Sequence, residues 1–375
     1  MDLNTPLNSI VWRLVRQATE LTSAGNLNAA TAAMQRALGA GLWPPSAASD
    51  LAPAPTAASS LAQILAGYVA RRPASGSTSS ALSEGEFLSG FHRFAGLTRA
   101  YKLYVPPGAA DRPMPLVVML HGCNQNPDDF AAGTGMNTLA QELGVLVLYP
   151  AQSQGANPAR CWNWFKHNHQ GRNGGEAALI ANMAKVVAAQ RAADSGRIYI
   201  AGLSAGGAMA ALVAAAHPDV FAAVGVHSGL APGAAKSLPQ GLAAMRSGAA
   251  AVGGASLSRA TLPVPTIVFH GDQDTTVHPM NGDQVMAAAL AGNSQRDIVG
   301  ASAVLLKKGV STGGRNYSHT VYGLLPAVGE LWVLHGAGHA WSGGHASGSY
   351  TDPIGPDASR EMLRFFLSQA ASRVD

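Results

Sequence analysis

The chain has 375 residues, of which 47% are hydrophobic and only 12% are charged, a composition that excludes a wholly disordered protein. Its formal net charge is +4 and no run of Lys and Arg exceeds two residues, which argues against a nucleic-acid groove and against a polybasic membrane anchor. Two cysteines cannot build a disulfide scaffold or a four-cysteine zinc site, and no stretch approaches the roughly 20 apolar residues of a membrane span. These limits leave a globular protein of enzyme size.

The first 84 residues are predicted to form an extension outside the main domain. In the segment 1–42, apolar residues recur at helical spacing from Ile10 onwards, which predicts a small helical segment. Residues 43–84 are rich in Pro, Ala and Ser, and such a stretch cannot bury enough apolar surface to fold alone. We therefore expect a linker there, with room for one short helix.

From residue 85 onwards, short β-rich runs alternate with longer Ala-rich helical runs. The predicted strands are 99–105, 116–120, 145–149, 197–201, 222–227, 266–270 and 331–334, and the predicted helices are 128–142, 175–193, 205–216, 279–291 and 357–370. Strands that are apolar almost throughout suit a sheet that helices cover on both faces. The alternation predicts an α/β fold with a mostly parallel, doubly wound sheet. The Gly-, Ala- and Ser-rich stretch 229–262 is interpreted either as a lid or as a surface loop.

The sharpest motif is Gly202-Leu-Ser-Ala-Gly206, which places Ser204 between a predicted strand and a predicted helix. In a G-x-S-x-G turn of this kind, the serine hydroxyl projects from the sheet edge, and the glycines permit close backbone packing. The N-terminus of the following helix favours developing negative charge. Ser204 is therefore the predicted nucleophile.

A nucleophilic serine needs a histidine base and a carboxylate that orients the imidazole, and both are expected downstream of such a turn, with the carboxylate first. His339 lies in a glycine-rich loop after the last predicted strand and is the predicted base, with His335 and His345 as alternatives. Asp274 follows the preceding predicted strand and is the predicted acid, with Asp272 as its main rival. A metal site at the two aspartates is not expected, because the residues after them do not match a calcium loop.

Two backbone N–H groups are expected to bind the negative oxygen that forms during acyl transfer. One belongs to Ala205, directly after the nucleophile, and the other to Cys123, in the loop after an early strand. Cys123 and Cys161 flank the same predicted opening, and we predict that they form a disulfide, with two buried free thiols as the alternative. A disulfide would favour an oxidising compartment.

Three tryptophans are predicted to contact substrate. Trp162 and Trp164 follow the second cysteine, and Trp341 lies two residues after the predicted base. Together they suggest an aromatic wall for an apolar acyl or polymer chain. Packing in the core explains any one of them equally well.

Five motifs stand in order along the chain: Leu120-His-Gly-Cys-Asn-Gln-Asn-Pro-Asp-Asp-Phe130, Cys161-Trp-Asn-Trp-Phe165, Ala201-Gly-Leu-Ser-Ala-Gly-Gly-Ala-Met209, His270-Gly-Asp-Gln-Asp274 and Gly338-His-Ala-Trp341. Together they resemble the esterase family of polyhydroxybutyrate (PHB) depolymerases. The resemblance implies an α/β-hydrolase fold for residues 85–375 and a triad of Ser204, Asp274 and His339. It also implies hydrolysis of short-chain 3-hydroxyalkanoate polyesters or related esters, with no metal or organic cofactor.

The resemblance leaves the substrate open, because the family is similar to feruloyl and acetylxylan esterases. A hypothesis from another class is a granule- or surface-binding protein that acts through the segment 1–42. The expected disulfide and the resemblance favour an extracellular or periplasmic protein, whereas Met1–Ser9 lacks the basic patch of a Sec signal peptide, which makes the cytoplasm the alternative. An ester is the expected partner, and neither nucleic acid nor a transmembrane segment is expected.

Overall fold

The computed structural model of the chain describes residues 85–248, 261–293, 303–323 and 326–369. These residues form one large sheet with helices on both faces, and a second sheet of two short strands. The predicted helical segment 1–42 and the predicted linker 43–84 lie outside the described residues. The hypothesis that the helical segment binds a granule or a surface therefore stays a prediction.

The strands and helices follow one another in chain order. The strands are β1 (Glu86–Phe94), β2 (Leu97–Val105), β3 (Leu116–Leu120), β4 (Leu146–Pro150), β5 (Ile198–Leu203), β6 (Ala223–His227), β7 (Thr266–Gly271), β8 (Ala303–Val310), β9 (Asn316–Tyr322), β10 (Gly329–Leu334), β11 (Trp341–Ser342) and β12 (Thr351–Asp352). The helices are α1 (Pro127–Thr134), α2 (Met136–Leu143), α3 (Gly175–Gln190), α4 (Ala205–Ala216), α5 (Leu238–Ser247), α6 (Met280–Asn293) and α7 (Ala358–Leu367), with a 3₁₀ turn at His167–His169.

The large sheet has ten strands in the order β1-β2-β4-β3-β5-β6-β7-β10-β9-β8. Its centre, from β4 to β10, is parallel, and two antiparallel strands extend it at either edge. Every residue of β3 to β7 is buried, as expected for parallel strands covered on both faces. The predicted mostly parallel, doubly wound sheet is confirmed.

The core consists of two apolar clusters on opposite faces of the sheet. Successive side chains of a strand point to opposite faces, and β3 illustrates the division. Leu116 and Val118 belong to one cluster, and Val117 and Met119 belong to the other. Among the described residues, no helix is both long enough and apolar enough to cross a membrane.

Some elements differ from the sequence-based expectation. The helix predicted over 128–142 is two helices, because Gly135 adopts a left-handed conformation (φ 62°) that ends α1 and precedes α2. The antiparallel strands β1, β8 and β9 were not predicted, because such edge strands lack the continuous apolar run of a parallel strand. Helix α5 occupies part of the stretch 229–262, of which residues 249–260 lie outside the described residues, so the lid interpretation stays a prediction.

Candidate active site

The predicted site residues follow strands that end at one edge of the sheet. Ser204 follows β5, Asp274 lies beyond β7, and His339 lies beyond β10. The loop after β3 adjoins β5. Because these strands run parallel, their carboxyl ends lie at the same edge, where open α/β sheets bind ligands.

Ser204 lies on a tight turn between β5 and α4. Its backbone has φ 59° and ψ −121°, a conformation that costs a non-glycine residue free energy and that persists only where the surroundings impose it. A Cβ at Gly206 would collide with the carbonyl of Leu120 at the end of β3, so only glycine lets the turn pack against the neighbouring strand. The turn that the motif predicted is therefore present.

The two predicted oxyanion donors are both without an acceptor in the described part of the chain. Ala205 is the first residue of α4, where a backbone N–H has no partner within the helix. In the loop after β3, the N–H of Gly122 is bound to Gln125 at 2.9 Å, whereas the N–H of Cys123 donates to no described residue. A Cβ at Gly122 would lie 3.6 Å from the Cβ of Ser204, so this loop adjoins the serine.

The predicted acid and base are hydrogen-bonded to each other. His339 Nδ1 lies 2.7 Å from Asp274 Oδ2, and Asp274 Oδ1 accepts hydrogen bonds from the N–H groups of Thr276 and Val277 at 2.9 and 2.8 Å. Burial raises the pKa of Asp274, but the hydrogen bond and charge of His339, together with the N–H of Val277 and the charge of His270, outweigh burial, so that this pKa lies below its usual value. With Nδ1 donating to the carboxylate, His339 Nε2 is left to accept a proton. Among the described residues, the Ser204 hydroxyl has no hydrogen-bond partner, so its contact with His339 belongs to the proposal below.

The alternative acid and base are joined to each other instead. His335 Nδ1 lies 2.9 Å from Asp272 Oδ2, and His335 Nε2 lies 2.8 Å from the hydroxyl of Ser318. The remaining alternative base, His345, donates its backbone N–H to Gly133 at 2.8 Å. None of these alternatives contacts Asp274 through a hydrogen bond in the described residues.

The sequence profile of the family described as "Esterase PHB depolymerase" matches residues 99–308, more than half of the chain. The chain belongs to this family. This member of the Esterase PHB depolymerase family is 34% identical over 207 residues to Poly(3-hydroxyalkanoate) depolymerase C of Paucimonas lemoignei, which covers 53% of this chain and 49% of that relative. It is 30% identical over 193 residues to a probable acetylxylan esterase A of Neosartorya fischeri, at 48% and 51% coverage. The chain spans about half the length of these relatives.

Solved structures agree with the fold that the resemblance implies. An acetyl xylan esterase from Aspergillus awamori has a TM-score of 0.53 and 23% identity to this chain, and the match covers 72% of this chain and 94% of that one. An S-formylglutathione hydrolase from Agrobacterium tumefaciens has a TM-score of 0.51 and 17% identity, at 78% and 98% coverage. At these identities the likeness concerns the fold alone. The α/β-hydrolase fold expected for this Esterase PHB depolymerase family member is confirmed.

The predicted disulfide between Cys123 and Cys161 is present. It ties the loop that carries the second predicted oxyanion donor to the segment that begins after β4. A backbone hydrogen bond of 2.6 Å from Asn124 to Ala159 runs beside it. The loop of this family member is therefore held by a covalent bond as well as by hydrogen bonds.

The prediction of an aromatic substrate wall is wrong for this structure. Trp162 and Trp341 are 0% and 1% exposed, and Trp164 is 5% exposed. Trp162 and Trp164 belong to one core cluster and Trp341 belongs to the other, across the sheet. Side chains without accessible surface cannot contact a substrate, and here the apolar area of the indoles fills the core.

Two buried histidines brace the loops of the site. His121 Nε2 accepts the N–H of Gln152 at 3.1 Å, and its Nδ1 donates to the carbonyl of Gly122 at 2.8 Å. His227 Nε2 accepts the N–H of Ser342, close to the predicted base, at 3.0 Å. Burial lowers the pKa of His121 to about 4 and that of His227 to about 3, so both rings are neutral at pH 7. The only sequence signal for either residue was its position at the end of a buried strand.

Proposed function

We propose that this member of the Esterase PHB depolymerase family is a serine esterase that works through an acyl-enzyme. One observation carries the proposal: Ser204 lies on a constrained strand-to-helix turn beside two N–H groups that have no acceptor among the described residues, at the sheet edge that also holds the Asp274–His339 pair. A nucleophile, an oriented imidazole and an oxyanion site are the parts that acyl transfer requires.

The reaction follows from these positions. His339 Nε2 takes the hydroxyl proton of Ser204 as Oγ attacks the ester carbonyl, and Asp274 holds the tautomer and stabilises the imidazolium. The N–H groups of Ala205 and Cys123 bind the negative oxygen of the tetrahedral intermediate. His339 then protonates the leaving alcohol. Water next attacks the acyl-enzyme while His339 takes its proton, and His339 returns that proton to Ser204 as the acid is released.

The proposed substrates are poly(3-hydroxybutyrate) and other short-chain polyhydroxyalkanoate chains or oligomers. The family match and the poly(3-hydroxyalkanoate) depolymerase relative support this choice. A feruloyl or acetylxylan ester is the second candidate, which the acetylxylan esterase and feruloyl esterase relatives support. We further propose that residues 85–375 are the catalytic domain, preceded by the segment 1–42 and the linker 43–84.

Product analysis separates the two candidates. The purified protein is incubated with amorphous poly(3-hydroxybutyrate) granules, acetylated xylan and methyl ferulate, and 3-hydroxybutyrate, acetate and ferulate are quantified by liquid chromatography. We expect 3-hydroxybutyrate to be released fastest. Faster release of acetate or ferulate would assign the chain to the second candidate, and the Ser204→Ala protein serves as the blank for all three substrates.

We propose an extracellular or periplasmic location, which the Cys123–Cys161 bond supports, because disulfides persist in oxidising compartments. Alkylation of free thiols in intact cells, followed by mass spectrometry of the two cysteines, tests the location. Unmodified, bonded cysteines are expected. Quantitative alkylation of both cysteines in the same experiment would instead place the protein in the reducing cytoplasm.

A further inference from the structure

One side chain, that of Gln125, joins the loop of the second proposed oxyanion donor to two other segments of the chain. Its Oε1 accepts the N–H of Gly122 at 2.9 Å, and its Nε2 donates to Asp129 Oδ2 at 3.0 Å and to the carbonyl of Ser349 at 3.1 Å. Gln125 is 1% exposed, so water cannot replace a bond that is lost there. A neutral amide that both accepts and donates satisfies all of these groups at once.

Asp129 and Ser349 complete the connection. The N–H of Ser349 donates to Asp129 Oδ1 at 2.8 Å, and the Ser349 hydroxyl donates to Asp129 Oδ2 at 2.6 Å. Ser349 lies ten residues after His339 in the chain, in the segment that packs against α1. A Cβ at Gly348 would collide with the backbone of Gly133, so this packing is close. The oxyanion loop and the segment that follows the base are therefore joined by partly buried polar contacts.

The consequence for the oxyanion donor is geometric. The C=O of Gly122 and the N–H of Cys123 belong to one peptide plane and point in opposite directions. His121 holds that carbonyl at 2.8 Å, and Gln125 holds the N–H on the other side of Gly122. Both polar groups of Gly122 are thus engaged, which sets the orientation of the next peptide and leaves the Cys123 N–H as the donor without an acceptor in the described chain.

We propose that Gln125 is a positioning residue of the oxyanion hole, and that through Asp129 and Ser349 it couples the oxyanion loop to the segment that follows His339. The inference rests on the proposed function, because the Cys123 N–H matters for catalysis only if acyl transfer occurs. Leu at position 125 would match the volume but leave the partners of the amide unpaired. Glu at this position would place a second carboxylate beside Asp129, whose Oδ2 lies 3.0 Å from Gln125 Nε2.

The test compares Gln125→Leu with the parent protein. Loss of one oxyanion donor costs roughly 10²–10³ in kcat, so a displaced donor is expected to lower kcat by roughly 10–100-fold, while KM stays within about threefold. The inhibition constant of butylboronic acid, which forms a tetrahedral adduct with a nucleophilic serine, is expected to rise by the same factor as kcat falls. A purely structural residue would lower the melting temperature without this parallel change.

Asn126→Ala is the matched control. Asn126 caps the same helix end by accepting the N–H of Asp129 at 3.0 Å, and it does not contact Gly122 through a hydrogen bond. This variant is expected to melt at a lower temperature and to keep its kcat and its boronate affinity within about twofold of the parent, since a lost cap affects stability. The proposal is overturned if Gln125→Leu keeps the kcat and boronate affinity of Asn126→Ala.

Ser349→Ala decides the matter if Gln125→Leu does not fold. It removes only a hydroxyl, and we expect kcat to fall by roughly 3–10-fold with a matching loss of boronate affinity. Unchanged values of both would overturn the coupling. Failure of the proposed function is distinguishable, because it would leave Ser204→Ala active, whereas failure of this inference alone would leave Ser204→Ala inactive and the Gln125 variant active.

Discussion

Two Asp–His pairs lie beyond the ends of the neighbouring strands β7 and β10. In each pair the histidine Nδ1 is hydrogen-bonded to a carboxylate oxygen. Asp274 and His339 are 2.7 Å apart, with side chains 0% and 12% exposed, whereas Asp272 and His335 are 2.9 Å apart, with side chains 34% and 40% exposed. The second pair also has a serine, Ser318, 2.8 Å from His335 Nε2. Hydrogen bonds alone would therefore favour the second pair as the catalytic one, because only its histidine is bound to a serine hydroxyl in the described residues.

The backbone around each serine separates the two regions. Ser318 lies within β9 and is paired in register with Lys308 on one side and Val333 on the other, so its surroundings are those of a regular strand. Ser204 lies on a constrained turn beside the N–H groups of Ala205 and Cys123, which have no acceptor in the part of the chain that the structure describes. A charge that develops near preorganised donors in a site shielded from water is stabilised far more than one in an exposed position. If the proposed function is right, an oxyanion site and burial, rather than a Ser–His–Asp contact, distinguish the proposed catalytic region from the structural one.

The largest effect is expected from the two serines. Ser204→Ala is expected to reduce kcat for p-nitrophenyl butyrate by roughly 10⁴–10⁶-fold, because it removes the nucleophile. Ser318→Ala is the matched variant and is expected to stay within about threefold of the parent, since one partly buried hydrogen bond contributes only modestly to stability. Steady-state assays with both proteins check this, and a larger loss in the Ser318 variant would reverse the assignment of the two regions.

Substitutions of the two aspartates are expected to differ in kcat in the same way as those of the two serines. Asp274→Asn is expected to lower kcat by roughly 10³–10⁴-fold, because the amide no longer holds the imidazole in its productive tautomer. Asp272→Asn changes a partly exposed pair. It is expected to leave kcat within a few-fold of the parent and to change the unfolding free energy by no more than about 1 kcal/mol. Activity and urea unfolding are measured for both variants. Equal losses of kcat would mean that the sequence-based choice between the two acids was wrong.

The disulfide gives the first region a constraint that the described residues of the second lack. The bond joins cysteines 38 residues apart, and removal of such a cross-link costs about 2–4 kcal/mol of unfolding free energy. Reduction with dithiothreitol is expected to lower both the melting temperature and kcat, because Cys123 carries a proposed oxyanion donor. The Cys123→Ala/Cys161→Ala protein is the control and should not respond to dithiothreitol. A parent whose kcat survives complete reduction would show that hydrogen bonds alone hold the loop.

Acid is expected to lower the unfolding free energy. Burial lowers the pKa of His121 to about 4 and that of His227 to about 3, so the unfolded chain binds protons below about pH 6.5 that the folded protein does not. Unfolding free energy should therefore fall as pH decreases from about 6.5 towards 4, by up to about 1.4 kcal/mol per pH unit for each ring. Urea unfolding at pH 7 and pH 5 measures the slope, and His227→Gln should reduce it. A slope that is unchanged in this variant would contradict the neutral state of His227.

Much of the site was accessible from local sequence. The turn at Ser204 was predictable because glycines, a buried strand and a helix adjoin one another in the chain. The sequence favoured Asp274 over Asp272 without excluding either, because both follow β7, and the position of His339 in space distinguishes them. The tryptophans were misplaced for a similar reason: an indole suits a substrate wall and a core equally well, and its burial depends on segments elsewhere in the chain.

The amino-acid sequence alone determined which segments of the main domain form the central strands and helices, and it placed the proposed nucleophile on a strand-to-helix turn, because these features depend on residues that are neighbours in the chain. Only the tertiary structure decided which aspartate meets which histidine, that Gln125 joins the oxyanion loop to Ser349, and that Trp162 and Trp341 lie in the core. Those outcomes depend on contacts between distant segments, and the free energy of such a contact belongs to neither segment by itself.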